Sequence, residues 1–123
     1  GLETMEEQLG AFDTLPETEQ RQMLKDVVSD TSDARAEFEK LLQAWASGNE
    51  FGLIKASQGG MMDTPRIREA VLVARNRAWA DRLDAMLKKN EHPFVAVGAG
   101  HLVGPDNVRE FLAAKGYKVV RVQ

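Results

Sequence analysis

The loop Gly98-Ala99-Gly100-His101 sets a titratable imidazole and two glycines at the end of a short apolar run, Phe94-Val95-Ala96-Val97. In open α/β sheets ligands sit in the crevice beyond the carboxyl ends of the strands, and this loop has that position in the sequence. An imidazole there can ligate a metal or serve as acid or base near neutral pH. Gly98 and Gly100 would let the backbone turn sharply and come close to a ligand. The same residues also describe a plain strand-to-helix turn with a partly exposed His101, and both readings stay open on position alone. A dinucleotide fingerprint is a competing reading that the spacing disfavours: through Gly104 it is G-x-G-x-x-x-G, one residue too long, and no acidic residue follows about 20 positions on at a strand end.

A second set lies on a helical pattern further upstream. At about 100° per residue, Leu72, Trp79, Leu83, Met86 and Leu87 share one face, and Arg75 and Asn76 fall within the same sector. An arginine in an apolar stripe must find an anion or a carboxylate, because burying it unpaired is prohibitive. Its pairing serves equally a structural salt bridge or a site. Arg68 and Arg82, farther from apolar neighbours, read as solvated. Glu3 is the third candidate: Gly1-Leu2-Glu3-Thr4 suits the last residues of a strand, although a glutamate this close to a terminus is ordinarily frayed surface. His92 reads as an exposed loop histidine, Met61-Met62 as a core plug or mobile loop, and Trp45 and Trp79 as core anchors. Asp13, Asp63 and Asp106 stand at helix starts, where capping explains them.

The elements expected to carry these residues are mostly helical. Thr14-Leu15-Pro16-Glu17 has the form of a capping box with an early proline, which predicts a helix over 16–30 carrying Met23, Leu24, Val27 and Val28 on one face. Ser32 or Asp33 would cap a second helix with Phe38, Leu41, Leu42 and Trp45 as its apolar stripe, ended at Gly48. Asp63-Thr64-Pro65 opens the longest helix, running to about Lys89. Residues 94–97, between Pro93 and Gly98, read as a buried strand. Pro105 starts a helix to Lys115 that Gly116 closes, and 117–122 form a last strand. Such a β-loop-α-β unit predicts two parallel strands with a right-handed crossover, hence an α/β fold: helix-rich, with a small, mostly parallel sheet. Two strands are too few for a parallel sheet, so further strands are expected before Gly1. The opening residue, Gly1 in place of Met, agrees with a chain cut from something longer.

Composition narrows the function classes. With 123 residues, 43% hydrophobic and 28% charged, the chain has the balance of one globular domain. Sixteen Lys plus Arg lie interleaved with nineteen Asp plus Glu for a net charge of -3, which argues against a nucleic-acid partner. No apolar run approaches the roughly 20 residues of a membrane span, and no signal peptide opens the chain. The absence of cysteine excludes disulfides, thiolate chemistry and Cys-based zinc sites.

Taken in order, Gly1-Leu2-Glu3-Thr4 with Glu7-Gln8-Leu9, Ala44-Trp45, Arg75-Asn76-Arg77-Ala78-Trp79-Ala80, Val95-Ala96-Val97-Gly98-Ala99-Gly100-His101-Leu102-Val103-Gly104 and Gly116-Tyr117 resemble the C-terminal half of a TraB/GumN family protein, related to the Tiki-type proteases. The resemblance covers essentially the whole chain. It implies an α/β fold related to the erythromycin-esterase and haem-binding ChaN-like proteins, with a site built from two GxxH motifs, a glutamate after a strand and an Arg-Asn pair on a helix. His101 matches the second GxxH histidine, Glu3 the glutamate, and Arg75 and Asn76 the helical pair. The first GxxH is missing from this sequence, and His92 does not replace it because Lys89 stands where the glycine would be.

By this resemblance the parent is a metal-dependent, peptidase-like hydrolase acting on a peptide or small-molecule substrate, with a divalent manganese, cobalt or zinc ion on Glu3 and the histidines, and this chain, without the first GxxH, is expected to be inactive by itself. Arg75 and Asn76 would complete the site, and Gly98 and Gly100 would line it. A metal-free version has His101 as general base oriented by Glu3. The competing expectations are a non-catalytic module that binds haem or another small ligand, and an inactive piece that assembles. Unpaired sheet edge predicts a homodimer or higher oligomer. A periplasmic or extracytoplasmic setting is favoured by the resemblance alone.

Overall fold

Thr4 starts the first element. Its hydroxyl accepts from the Glu7 N–H at 3.1 Å while the Glu7 carboxylate accepts from the Thr4 N–H at 2.7 Å, a reciprocal capping box that satisfies two otherwise orphaned donors. It opens α1 (Met5–Asp13), so Thr4 is a helix cap where a strand end was expected. The computed structural model describes residues 1–29, 34–56 and 60–122. The expected caps Ser32 and Asp33 lie outside the described residues.

Helix α2 (Glu17–Ser29) follows after Pro16. Thr14 does not box it: its hydroxyl turns back and donates to the Ala11 carbonyl at 3.3 Å, at the C-terminal end of α1. α3 (Ala34–Ala46) and α4 (Glu50–Ala56) pack against each other. The long helix foreseen over 65–89 is continuous but uneven. It comprises α5 (Pro65–Arg68), one π turn (Glu69–Val73) and α6 (Ala74–Lys88). A π turn inserts one residue into the i→i−4 ladder and so rotates everything after it relative to everything before it. Ile67, Val71 and Val73 are buried before the junction and Asn76, Trp79, Ala80 and Leu83 after it. α7 (Val108–Ala114) closes the fold, capped by Asn107, whose Oδ1 accepts from the Glu110 N–H at 3.1 Å. Pro105 and Asp106 therefore precede the helix they were expected to begin.

The α/β expectation is overturned. Among the described residues the regular structure is helical, and no strand or sheet is formed. Residues 94–97 and 117–122 have the composition of strands, but a strand exists only through a ladder partner, and neither segment has one. Phe94 is 96% exposed and Val122 95% exposed, so neither run is a buried strand. The helix between them and its termination at Gly116, with φ 93°, are as expected.

The core has two parts. Leu15, Ile67 and Val71 gather with Met23, Met62 and Ala70. Trp79, Leu83 and Val108 gather with Leu2, Met86, Val97 and Leu112, where α7 lies on α6. Each fully buried aliphatic of this kind contributes about 1.5–3 kcal/mol, and the second cluster anchors both the N-terminal segment and residue 97 to α6. The α3 stripe is less covered: Phe38 and Leu42 are exposed, and Trp45, expected in the core, is 63% exposed. No helix among the described residues is long and apolar enough to cross a membrane.

Candidate functional site

Arg75 and Asn76 leave the first turn of α6 side by side, just after the π turn, and reach in different directions. Arg75 Nε donates to Glu3 Oε2 at 3.0 Å and its Nη2 donates to Glu3 Oε1, a bidentate pair across 72 residues of sequence. Arg75 Nη1 donates to the Val71 carbonyl at 2.9 Å, within the π turn. Both members of the pair are largely buried, with 18% and 17% of their side chains exposed. This answers what anion pairs Arg75. Trp79, one turn further along α6, donates its indole N–H to Glu3 Oε2 at 3.2 Å and lies with its ring 5.0 Å from the Arg75 guanidinium carbon.

Asn76 is fully buried, and its amide is oriented by chemistry. Nδ2 donates to the Asp106 carbonyl at 2.8 Å. A carbonyl can only accept, so the NH2 must face Asp106 and Oδ1 must face the other way. Oδ1 lies 2.6 Å from His101 Nδ1. An amide oxygen can only accept in turn, so Nδ1 carries the proton and Nε2 carries the lone pair. The His101 ring also packs on Trp79, with centroids 4.5 Å apart and planes at 42°.

These contacts set the charges. The Arg75 hydrogen bond, chiefly, holds the Glu3 carboxyl below its ordinary 4.5, with Trp79 and the charge of Arg75 acting in the same direction against desolvation. Burial pushes the His101 imidazole below its ordinary 6.5; the Arg75 cation adds to this and Glu3 opposes it. Neutral His101 with a basic Nε2 is therefore the form favoured at neutral pH.

A cleft of about 350 Å³ opens beside this cluster, lined by Arg68, Val71, Leu72, Arg75, Gly100 and His101 among others. Glu3 does not line it. It stands behind Arg75, facing a recess shared with Leu2, Trp79 and Val97. Gly98 borders a separate groove against Phe38 and Trp45. The structure thus brings Glu3, Arg75, Asn76 and His101 together, but gives only Arg75, Gly100 and His101 a surface on one cleft. The backbone turns tightly here, as a 3-10 turn over Ala99–His101 closed by the His101 N–H donating to the Gly98 carbonyl at 2.9 Å, but it does so without positive φ at Gly98 or Gly100; of the glycines with positive φ among the described residues, Gly104, at 71°, lies nearby.

The donor set does not fit a divalent metal. Such an ion in a catalytic site wants about three protein ligands, and no group of three His, Cys, Asp or Glu side chains that could hold one occurs among the described residues. Both Glu3 oxygens are engaged by Arg75 and Trp79, and on the cleft itself His101 is accompanied by the Asp63 carboxylate, short of a set of three. His92, in the polar connection before Pro93, takes no part in this cluster.

Four contributors are not evident from the sequence as site residues. Trp79 was assigned to the core, although it stands four residues from Arg75 and three from Asn76 on the same helix face, which was the signal available. Arg68, expected in solvent, donates to Asp106 Oδ2 at 2.9 Å. Asp106, expected as a cap, supplies the carbonyl that orients Asn76. Arg82, also expected in solvent, donates to the Leu2 carbonyl and, at 2.5 Å, to Glu7, which ties the segment carrying Glu3 to α6.

No curated protein and no solved structure matches this chain. The model of the TraB/PrgY/gumN family matches residues 1–121, a span that includes every residue of the cluster. The chain therefore belongs to the TraB/PrgY/gumN family.

Proposed function

We propose that the chain carries a hydrolytic site for a peptide or small carbonyl substrate, with His101 Nε2 as its general base. The observation that carries this reading is the 2.6 Å contact between Asn76 Oδ1 and His101 Nδ1, which leaves a lone pair on Nε2 in a ring bordering the cleft. In the reaction a water in the cleft gives a proton to Nε2 as its oxygen bonds to the substrate carbonyl carbon. The imidazolium then returns that proton to the leaving group as the carbonyl reforms, so the ring ends as it began.

Arg75 supplies positive charge beside the developing oxyanion. Three of its N–H groups are held by Glu3 and Val71, so the guanidinium is fixed before substrate arrives and needs no reorganisation during the reaction. Glu3 acts through Arg75. With its oxygens engaged by Arg75 and Trp79, Glu3 is poorly placed to share a metal with the histidine.

Hydrolysis of a panel of peptides and esters by the chain and by His101→Ala tests the proposal. Loss of about 100-fold or more in kcat/KM for any substrate turned over is expected, the ordinary contribution of a general base. Equal rates in the two proteins would overturn it. Turnover abolished by a chelator and restored by manganese, cobalt or zinc would move water activation from the imidazole to a metal.

A further inference from the structure

Arg68 lies seven residues before Arg75, on the far side of the π turn, and its guanidinium grips two consecutive residues of the loop that leads into α7. Nη1 donates to Asp106 Oδ2 at 2.9 Å and Nη2 donates to the Pro105 carbonyl at 2.9 Å. Asp106 stands at φ 59°, a left-handed conformation uncommon among non-glycine residues, although Asp and Asn adopt it more readily than the rest. Its N–H donates to Glu110 Oε2 at 2.9 Å, which holds it from the α7 side. In this conformation its carbonyl accepts from Asn76 Nδ2 at 2.8 Å. The chain of contacts runs without a gap from Arg68 through Asp106 and Asn76 to His101 Nδ1, with each donor and acceptor assigned by chemistry alone.

We propose that Arg68 is a positioning residue for His101. Its clamp on Pro105 and Asp106 keeps the Asp106 carbonyl turned toward Asn76, the carbonyl dictates which way the Asn76 amide faces, and the amide dictates which imidazole nitrogen holds the proton. Without the clamp Asp106 relaxes out of the left-handed region, its carbonyl turns away, and Asn76 is free to flip. A flipped amide presents NH2 to His101 and selects the opposite tautomer, with the lone pair on Nδ1 and none facing the cleft. The catalytic consequence rests on the general-base reading given above; the structural consequence does not.

Long-range 1H–15N correlation spectra of the imidazole, recorded at pH 8 on the chain labelled with 15N-histidine, distinguish the two tautomers. His92 provides an internal reference, and His101→Ala assigns the signals. The parent chain is expected to show His101 protonated at Nδ1 alone. Arg68→Ala is expected to show a mixture in which the Nε2–H form, preferred by an unconstrained histidine side chain in water, predominates. Arg68→Gln keeps the aliphatic stem and a single amide donor group, so it reports the same loss should the alanine variant fail to fold. A pure Nδ1–H pattern in a folded Arg68 variant would overturn the proposal, even if His101→Ala abolished hydrolysis. Conversely, hydrolysis indifferent to His101→Ala would sink the general-base reading and leave the tautomer result standing.

Discussion

The side-chain amide of Asn76 joins the Asp106 carbonyl at 2.8 Å to His101 Nδ1 at 2.6 Å, so one fully buried residue decides which imidazole nitrogen is basic. Replacing Asn76 by Ala leaves the carbonyl and the imidazole N–H without their partner in a buried site. A loss of about 2–3 kcal/mol in urea-unfolding stability is expected. Asn76→Asp is worse matched than it looks: a carboxylate faces the Asp106 carbonyl with no proton to donate, while its charge favours the imidazolium. His101 should then titrate at higher pH than in the parent chain, which a 1H NMR titration reads directly; an unchanged or lower midpoint would contradict the geometry.

Acid should weaken the fold in two stages. His101 has its pKa depressed in the folded chain, below 6.5, so its contribution to stability is complete above pH 6.5 and is lost as pH falls through the folded value. Glu3 is depressed below 4.5, so its contribution is complete above 4.5 and is lost as pH falls further. Urea midpoints measured from pH 8 to pH 3 should therefore decline first below about 6.5 and again below about 4.5. His101→Gln should remove the first decline and Glu3→Gln should shrink the second. A parent midpoint flat from pH 7 to pH 5 would contradict the assignment of His101.

The polar residues of the cluster were legible because each breaks a local rule. Arg75 and Asn76 interrupt an apolar helical face, and His101 follows an apolar run through a glycine pair. What could not be read was how the contacts are shared. Whether Arg75 pairs with Glu3 depends on the π turn that sets the phase of α6, and a fixed angle per residue cannot register an inserted residue. Residues 94–97 and 117–122 misled for a different reason: β-rich composition reports how well a side chain suits a pleated surface, whereas a strand also needs a neighbour to bond to. Asp106 was beyond reach altogether. Its role lies in a backbone carbonyl turned by positive φ, and no side-chain pattern announces that.

Breaking the Glu3–Arg75 pair from either side should cost more than half of what removing both costs, because the two losses overlap. Glu3→Ala leaves a mostly buried guanidinium with only the Val71 carbonyl among the partners it had, and Arg75→Ala leaves a carboxylate with only the Trp79 indole. Each single change is expected to destabilise by about 2–3 kcal/mol, and a double-mutant cycle to return a coupling of about 1–3 kcal/mol. Thr4→Ala acts on the same pair at a distance. It removes the capping box beside Glu3 and should cost about 1 kcal/mol. Coupling near zero in the cycle would mean that the pair does not hold the N-terminal segment to α6.

The loop glycines separate backbone freedom from room for a ligand. Gly104, at φ 71°, is strained by any side chain although a Cβ there would meet Ile54 at an ordinary 3.8 Å, and Gly104→Ala should cost about 1 kcal/mol. Gly98 has φ -59° and ψ 141°, which any residue adopts, and a Cβ there would meet His101 Cδ2 at an ordinary 3.8 Å. A Cβ on Gly100 would meet nothing within 4 Å. Both alanine variants should fold with stability unchanged or raised by about 0.5 kcal/mol, because alanine restricts the unfolded chain. Their activities should differ. Gly100 lines the cleft that His101 and Arg75 share, so its methyl group takes space from the substrate and raises KM, whereas Gly98 borders a different groove and its methyl group leaves KM as it was. Gly100 also borders the groove on the α3 side, so if Gly98→Ala raised KM together with Gly100→Ala the substrate would lie in that groove and the cleft assignment would fall.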